Sequence, residues 1–280
     1  MTDSVTAPDW LAEPGRLIEP EQLGPTPRQG LLVVHVASAA AYQSAHIPGA
    51  LLVEPGELVA GTPPAVGRLP SPERLEALFG RLGLTPDVTV VAYDDEGGGW
   101  AGRLIWTLDV IGHTRWTYLD GGIHAWHAAG LPLESGPPPV PTPTRVRIAI
   151  DTAPIAEIPD VLAAIGDPDS VIWDARSEAE YLGLRSGSQR AGHIPGAVNI
   201  DWVHLMDPTR QLRLIEHLPT LLEAKGISPE KQVITHCQTH HRSGLTYLAA
   251  RLLGFPRVRA YHGSWSEWGN RPDTPVETGR

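Results

Sequence analysis

The 280-residue chain has one cysteine, Cys237, and the residues around it form a pattern suited to nucleophilic chemistry. Gln232 to His236 is a short β-branched run of the kind that fills a buried parallel strand. From Gly244, the apolar residues Leu245, Leu248, Ala249, Leu252 and Leu253 fall along one face of a helix, and Gly254 stands where a helix-ending glycine belongs. Between strand and helix lies the loop Cys237-Gln238-Thr239-His240-His241-Arg242-Ser243. In a strand-loop-helix unit such a loop sits at the carboxyl end of a sheet, where its N–H groups and the helix N-terminus favour an anion. A thiolate is such an anion. Arg242, His240 and His241 add positive charge beside it, so the thiol is expected to ionise below its ordinary value of about 8.5. No core would accept the polar residues after Cys237, which predicts a cysteine held at a surface cleft where it meets a substrate. A metal is not expected, since a structural zinc site wants four ligands and there is no second cysteine. Nothing in the pattern asks for a cofactor.

Strand, cysteine, short polar loop ending in Arg-Ser, and helix resemble the active-site unit of the rhodanese family of sulfurtransferases. Ala260 to Trp268, AYHGSWSEW, is similar to that family's carboxy-terminal signature and departs from it at His262, where an acid, alanine or proline is usual; no chemical consequence is expected. Tyr42 to Ala50, with the turn His46-Ile47-Pro48-Gly49, matches the family's other signature. The loop CQTHHRS looks like that of bacterial two-domain thiosulfate sulfurtransferases. The resemblance implies a Cys237 persulfide that takes sulfur from thiosulfate and yields it to cyanide, a thiol or a sulfur-accepting protein. It makes Gln238, Thr239, His240, His241, Arg242 and Ser243 the substrate-binding loop, with Trp202 lining the pocket. Asp174 is carried over as a loop-positioning acid and Arg176 as a nearby cation, although an ordinary ion pair at a strand end fits that dyad equally. Glu180 departs from relatives that carry a base there, so the charge it removes is expected to come from His240, His241 and Arg242. Donor binding should then weaken as pH rises through about 6.5.

The positioning elements come twice. Ala45-His-Ile-Pro-Gly-Ala50 returns as Gly192-His-Ile-Pro-Gly-Ala197, Val90-Val-Ala-Tyr-Asp94 as Val233-Ile-Thr-His-Cys237, and Asp120 to Trp126 as His262 to Trp268, at offsets of 147, 143 and 142 residues. Strands are expected at 31–35, 88–93, 171–173 and 232–236. Helices are expected at 74–82, starting from the Ser71 cap and Pro72, and at 100–111. The expected fold class is α/β: two tandem rhodanese-like domains, each a parallel sheet with helices on both faces. The first copy covers 1–135 with an irregular lead-in to about 30, a proline-rich linker covers 136–147, and the second copy covers 148–280. Where the second copy has Cys237 the first has Asp94, followed by Asp95 and Glu96. A carboxylate cannot become a persulfide, so the first copy should be catalytically silent and wall the cleft. Tryptophans other than Trp202 are assigned to packing.

A formal charge of −10 argues against nucleic acid or a membrane surface as partner. The amino terminus lacks a secretory pattern, no apolar run reaches membrane length, and a lone thiolate suits a reducing compartment, which makes the cytoplasm the simplest address. Three other functions use the same residues. One is transfer from 3-mercaptopyruvate. Another is a persulfide carrier or regulatory module. The third is a cysteine phosphatase or arsenate reductase, whose loop puts five residues between cysteine and arginine where this chain has four.

Overall fold

The computed structural model describes residues 16–24 and 30–279. Each half is an open sheet of five parallel strands with the same order under the repeat. In the first, β1 (Arg16–Ile18), α1 (Pro20–Leu23), β2 (Leu31–Val36), α2 (Ala39–Ser44), β3 (Leu51–Val53), α3 (Pro72–Arg81), β4 (Thr89–Tyr93), α4 (Gly99–Val110), β5 (Trp116–Leu119) and α5 (Gly122–Ala128) give the order β1-β5-β4-β2-β3. In the second, β6 (Ile155–Ala156), α6 (Ile158–Ala164), β7 (Ser170–Asp174), α7 (Glu178–Tyr181) and β8 (Val198–Asn199) come first. A small antiparallel pair follows, β9 (Met206–Asp207) with β10 (Arg213–Leu214). Then α8 (Leu218–Ala224), β11 (Gln232–His236), α9 (Arg242–Leu252), β12 (Val258–Tyr261) and α10 (Ser264–Trp268) complete the order β6-β12-β11-β7-β8.

Local chemistry accounts for the main elements. Every residue of β4 is buried, as a central parallel strand covered on both faces requires. The Ser71 side chain accepts the Arg74 N–H, Pro72 occupies the first turn of α3, and Gly83 at φ 76° follows its end. Part of the expected irregular lead-in is ordered instead: β1 pairs in parallel with β5, so this segment is the edge of the first sheet. The rest of that lead-in, 8–15 and 25–29, lies outside the described residues. The proline-rich stretch has no helix or strand, but it is strapped down. Thr144 donates its N–H to the Gly80 carbonyl and its hydroxyl to that of Leu84, and the Ile148 N–H reaches Glu76.

The two halves share one core. One apolar cluster runs through both halves, while a smaller cluster lies on the outer face of each sheet. At the centre α4 packs along α9. A Cβ placed on Gly102 would lie 2.3 Å from the Gly244 carbonyl oxygen, and one on Gly244 2.3 Å from that of Gly99. Glycine at these positions brings the amino ends of both helices, and the loops that precede them, against each other.

Candidate active site

β11 ends at His236 and α9 starts at Arg242, so the loop from Cys237 lies at the carboxyl edge of the sheet. The neighbouring strand β7 ends in register, with Asp174 opposite His236. The turn into α10 holds the other side: Trp265 and Ser266 donate their N–H groups to the carbonyls of Cys237 and Gln238, and the Ser264 hydroxyl accepts the Cys237 N–H. Cys237 is thus pinned at its backbone while its side chain is enclosed by the loop.

That enclosure departs from the open cleft expected from the sequence, for Cys237 is 1% exposed. The loop is short, with four residues between cysteine and arginine. Burial works to raise the thiol's pKa, but the Arg242 charge, the hydroxyl and N–H of Ser243 on the sulfur, and His241 outweigh it and hold the pKa below the usual thiol value.

The first copy contains the same loop with a different anion. Asp94 stands at the place of Cys237, its Oδ1 accepting the N–H groups of Glu96, Gly97 and Gly98 at 3.2, 3.1 and 2.8 Å and its Oδ2 that of Ala101 at 2.9 Å. Burial and the neighbouring Glu96 nevertheless lift this acid to about 6. The Ile123 N–H, at the head of α5, holds the Asp94 carbonyl as Trp265 holds that of Cys237.

Each loop residue after Cys237 has a distinct partner. Gln238 donates to the Ser188 hydroxyl. Thr239 lies under Gly67 of the first copy, so close that a Cβ on Gly67 would overlap its carbonyl oxygen. His240 is 0% exposed, turned edge-on to Trp106, with Nδ1 2.8 Å from the Ser243 hydroxyl. Burial, with Arg103, His262 and His241, drives its pKa far below the ordinary histidine value. His240 is therefore neutral, and the expectation that it replaces a missing cation does not hold. His241 stacks on Trp100 at 4.3 Å and its Nε2 makes a close contact with the Glu96 carboxylate, both from the first copy. Arg242 is clasped in a two-pronged pair by Glu180 at 2.7 and 2.9 Å. Glu180, expected merely to remove charge, positions that arginine.

The remaining predicted residues divide. Trp202 is half-buried and tilted against His241 at 5.6 Å, on the rim of the loop. Arg176 does not face the loop as a free cation: fully buried, it pairs with Asp174, donates to the Gly192 carbonyl and lies 4.3 Å over Trp265. Asp174 lies 3.7 Å from His236 and is held, against its own burial, below the usual carboxylate range by His236 and Arg176. This dyad braces the strand ends beneath Cys237. Glu96, Trp100, Arg103 and Trp106 were not singled out as site residues, because their approach depends on how two copies pack. Among the described residues no group of three or more histidine, cysteine or acidic side chains could hold a metal.

A family model described as a rhodanese-like domain matches twice, over residues 21–129 and 157–271. The chain is 51% identical to a thiosulfate sulfurtransferase of Pseudomonas aeruginosa, covering 93% of this chain and 96% of that one. It is 53% identical to a thiosulfate sulfurtransferase of Azotobacter vinelandii over 88% of this chain and 91% of that one. Among solved structures, the anaerobic ergothioneine biosynthesis enzyme from Chlorobium limicola superposes with a TM-score of 0.83 at 25% identity, covering 95% of this chain and 71% of that one. Two matched copies, on two sheets of identical strand order, make this chain a member of the rhodanese family.

Proposed function

We propose that the protein is a sulfurtransferase that takes the outer sulfur of thiosulfate onto Cys237 and gives it to a thiophilic acceptor such as cyanide or a thiol. The Cys237 thiolate attacks the sulfane sulfur, the sulfur–sulfur bond of thiosulfate breaks with its electron pair on sulfite, and a cysteine persulfide anion remains. Charge is conserved, from a monoanion and a dianion to a monoanion and a dianion. The acceptor then attacks the terminal sulfur and restores the thiolate.

The observation that carries this reading is the paired cradle. In one copy four N–H groups close on the Asp94 carboxylate, and at the matching place in the other the Ser243 hydroxyl and N–H close on a sulfur with Arg242 beside it. A fixed set of dipoles of this kind stabilises negative charge on the thiolate and then on the terminal persulfide sulfur without reorganisation. In this scheme Gln238, Thr239, His241 and Trp202 form the rim that receives the donor, Arg242 offsets charge on departing sulfite, and Asp174 with Arg176 sets the floor. Lacking a sulfur nucleophile, the first copy is catalytically silent. The relatives named above support thiosulfate as the donor.

The test uses the intact chain. Incubation with thiosulfate and no acceptor should raise its mass by one sulfur atom, and cyanide should remove it. Cys237→Ser and Cys237→Ala should both lose turnover to background. Turnover persisting in the serine variant alone would sink the persulfide scheme.

A further inference from the structure

Among the described residues, two arginines are buried to 0% exposure, Arg103 and Arg176. Arg176 has Asp174 against it. Arg103, on α4 of the first copy, has no carboxylate within ion-pair distance among the described residues. Its guanidinium instead donates to three carbonyl oxygens: Leu58 at 2.7 Å, Arg68 at 3.4 Å and His240 at 3.4 Å. It lies 4.6 Å over the Trp106 ring, whose face meets the edge of His240, and its Nε has no partner. An uncompensated buried charge is costly, and a fold retains one where something of opposite sign faces it.

The loop supplies that opposite charge. The carbonyl of His240 belongs to a residue at φ 55°, the left-handed step that turns the segment between Cys237 and Arg242. Arg103 therefore grips the cradle from the far side of the domain interface, through the carbonyl of a residue in the same loop as Cys237. Burial pulls its own pKa down to about 9, leaving it charged at neutral pH. Of the other charged groups around Cys237, Arg242 is paired with Glu180 on the rim and Asp174 with Arg176 beneath, while burial keeps His240 neutral.

We propose that Arg103 is a positioning residue of the reaction, by which the first copy lends the second a buried cation that holds the His240 carbonyl and stabilises the Cys237 thiolate and persulfide. The inference rests on Cys237 being the nucleophile. It gives the first copy a second task besides walling the site, since its charge enters the chemistry of a cysteine it does not contain.

The experiment is alkylation of the single cysteine by iodoacetamide as a function of pH, in the full chain and in Arg103→Met, Arg103→Gln and Arg103→Lys. The wild-type inflection should lie below that of an ordinary thiol. In the Met and Gln variants it should move up, so that at a fixed pH below it the alkylation and persulfide-formation rates fall about tenfold, recovering at high pH. KM for thiosulfate should change less than twofold, and lysine should restore most of the rate. Glutamine keeps donors for the carbonyls, so it serves if the methionine variant does not fold. Profiles of the Gln and wild-type proteins that superimpose, or a lysine variant as impaired as glutamine, would overturn the proposal while leaving the nucleophile intact. A wild-type inflection at or above the ordinary thiol value would overturn both.

Discussion

His240 stands two residues before Arg242, yet its surroundings remove it from the electrostatics of the donor site. Trp106 covers its edge, Ser243 holds Nδ1, and the charge of Arg103 close by makes a second cation untenable. His240→Asn tests this directly, because asparagine tolerates the left-handed backbone that residue 240 adopts. The lost packing against Trp106 should cost about 1–3 kcal/mol in urea unfolding. The pH dependence of KM for thiosulfate between about pH 6 and 8 should keep its wild-type shape. A KM that rises in the variant at the acid end alone would return a positive charge to position 240. What local sequence displayed here was residue type: a sulfur, two histidines, an arginine and a serine in one loop. Their side-chain partners lie far along the chain, Glu180 at 62 residues from Arg242 and Glu96 at 145 from His241. Burial and pairing of that range leave no mark on a seven-residue window.

At the scale of the element, the strand-loop-helix unit is an anion holder whatever the anion. Asp94 fills its cradle with a carboxylate, and Ala in its place would leave four N–H groups of a closed loop unpaired. Asp94→Ala should therefore destabilise the chain by about 3 kcal/mol or more. The pH dependence has a definite sign. The folded pKa of about 6 lies above the ordinary 3.8, so the acid's stabilising contribution is full below about 3.8 and declines as pH rises through about 6. The gap between wild type and variant should thus be wider at pH 5 than at pH 8, by about 1 kcal/mol. Denaturation at the two pH values checks it, and an equal gap would mean that burial does not shift this carboxyl. The same scale shows why some elements could be read and others not. α3 announced itself through Ser71, Pro72 and Gly83, and β11 through an unbroken β-branched run. β1 has three residues, one of them the exposed Leu17, and owes its existence to a free edge on β5. No periodicity fits in so short a span.

Across the whole molecule, the two copies are joined by polar contacts as well as by a core, and these contacts converge on the loop. Arg68 bridges Glu157 and Glu267, and His262 accepts the Leu69 N–H while facing Glu157. His262 was the one departure in the carboxy-terminal signature, and its work is at the interface. Next to these, Tyr247 and Arg251 of α9 both reach Asp109 of α4. Thr239, His240 and His241 in turn rest on Gly67, Trp106 with Arg103, and Trp100 with Glu96. If the helix crossing sets those contacts, moving it by a few tenths of an ångström should loosen the loop while each sheet stays folded. Gly102→Ala is the change that does so, since its methyl would meet the Gly244 backbone at 2.3 Å. The clash should cost about 3 kcal/mol in unfolding. It should also lower kcat/KM for thiosulfate about tenfold, as a small misplacement of a catalytic loop does. Gly56→Ala is the control, because nothing lies within 4 Å of the added methyl. The two variants should differ in activity and stability with identical far-ultraviolet circular dichroism. Equal activity in both would mean that the loop keeps its shape without the first copy pressed against it.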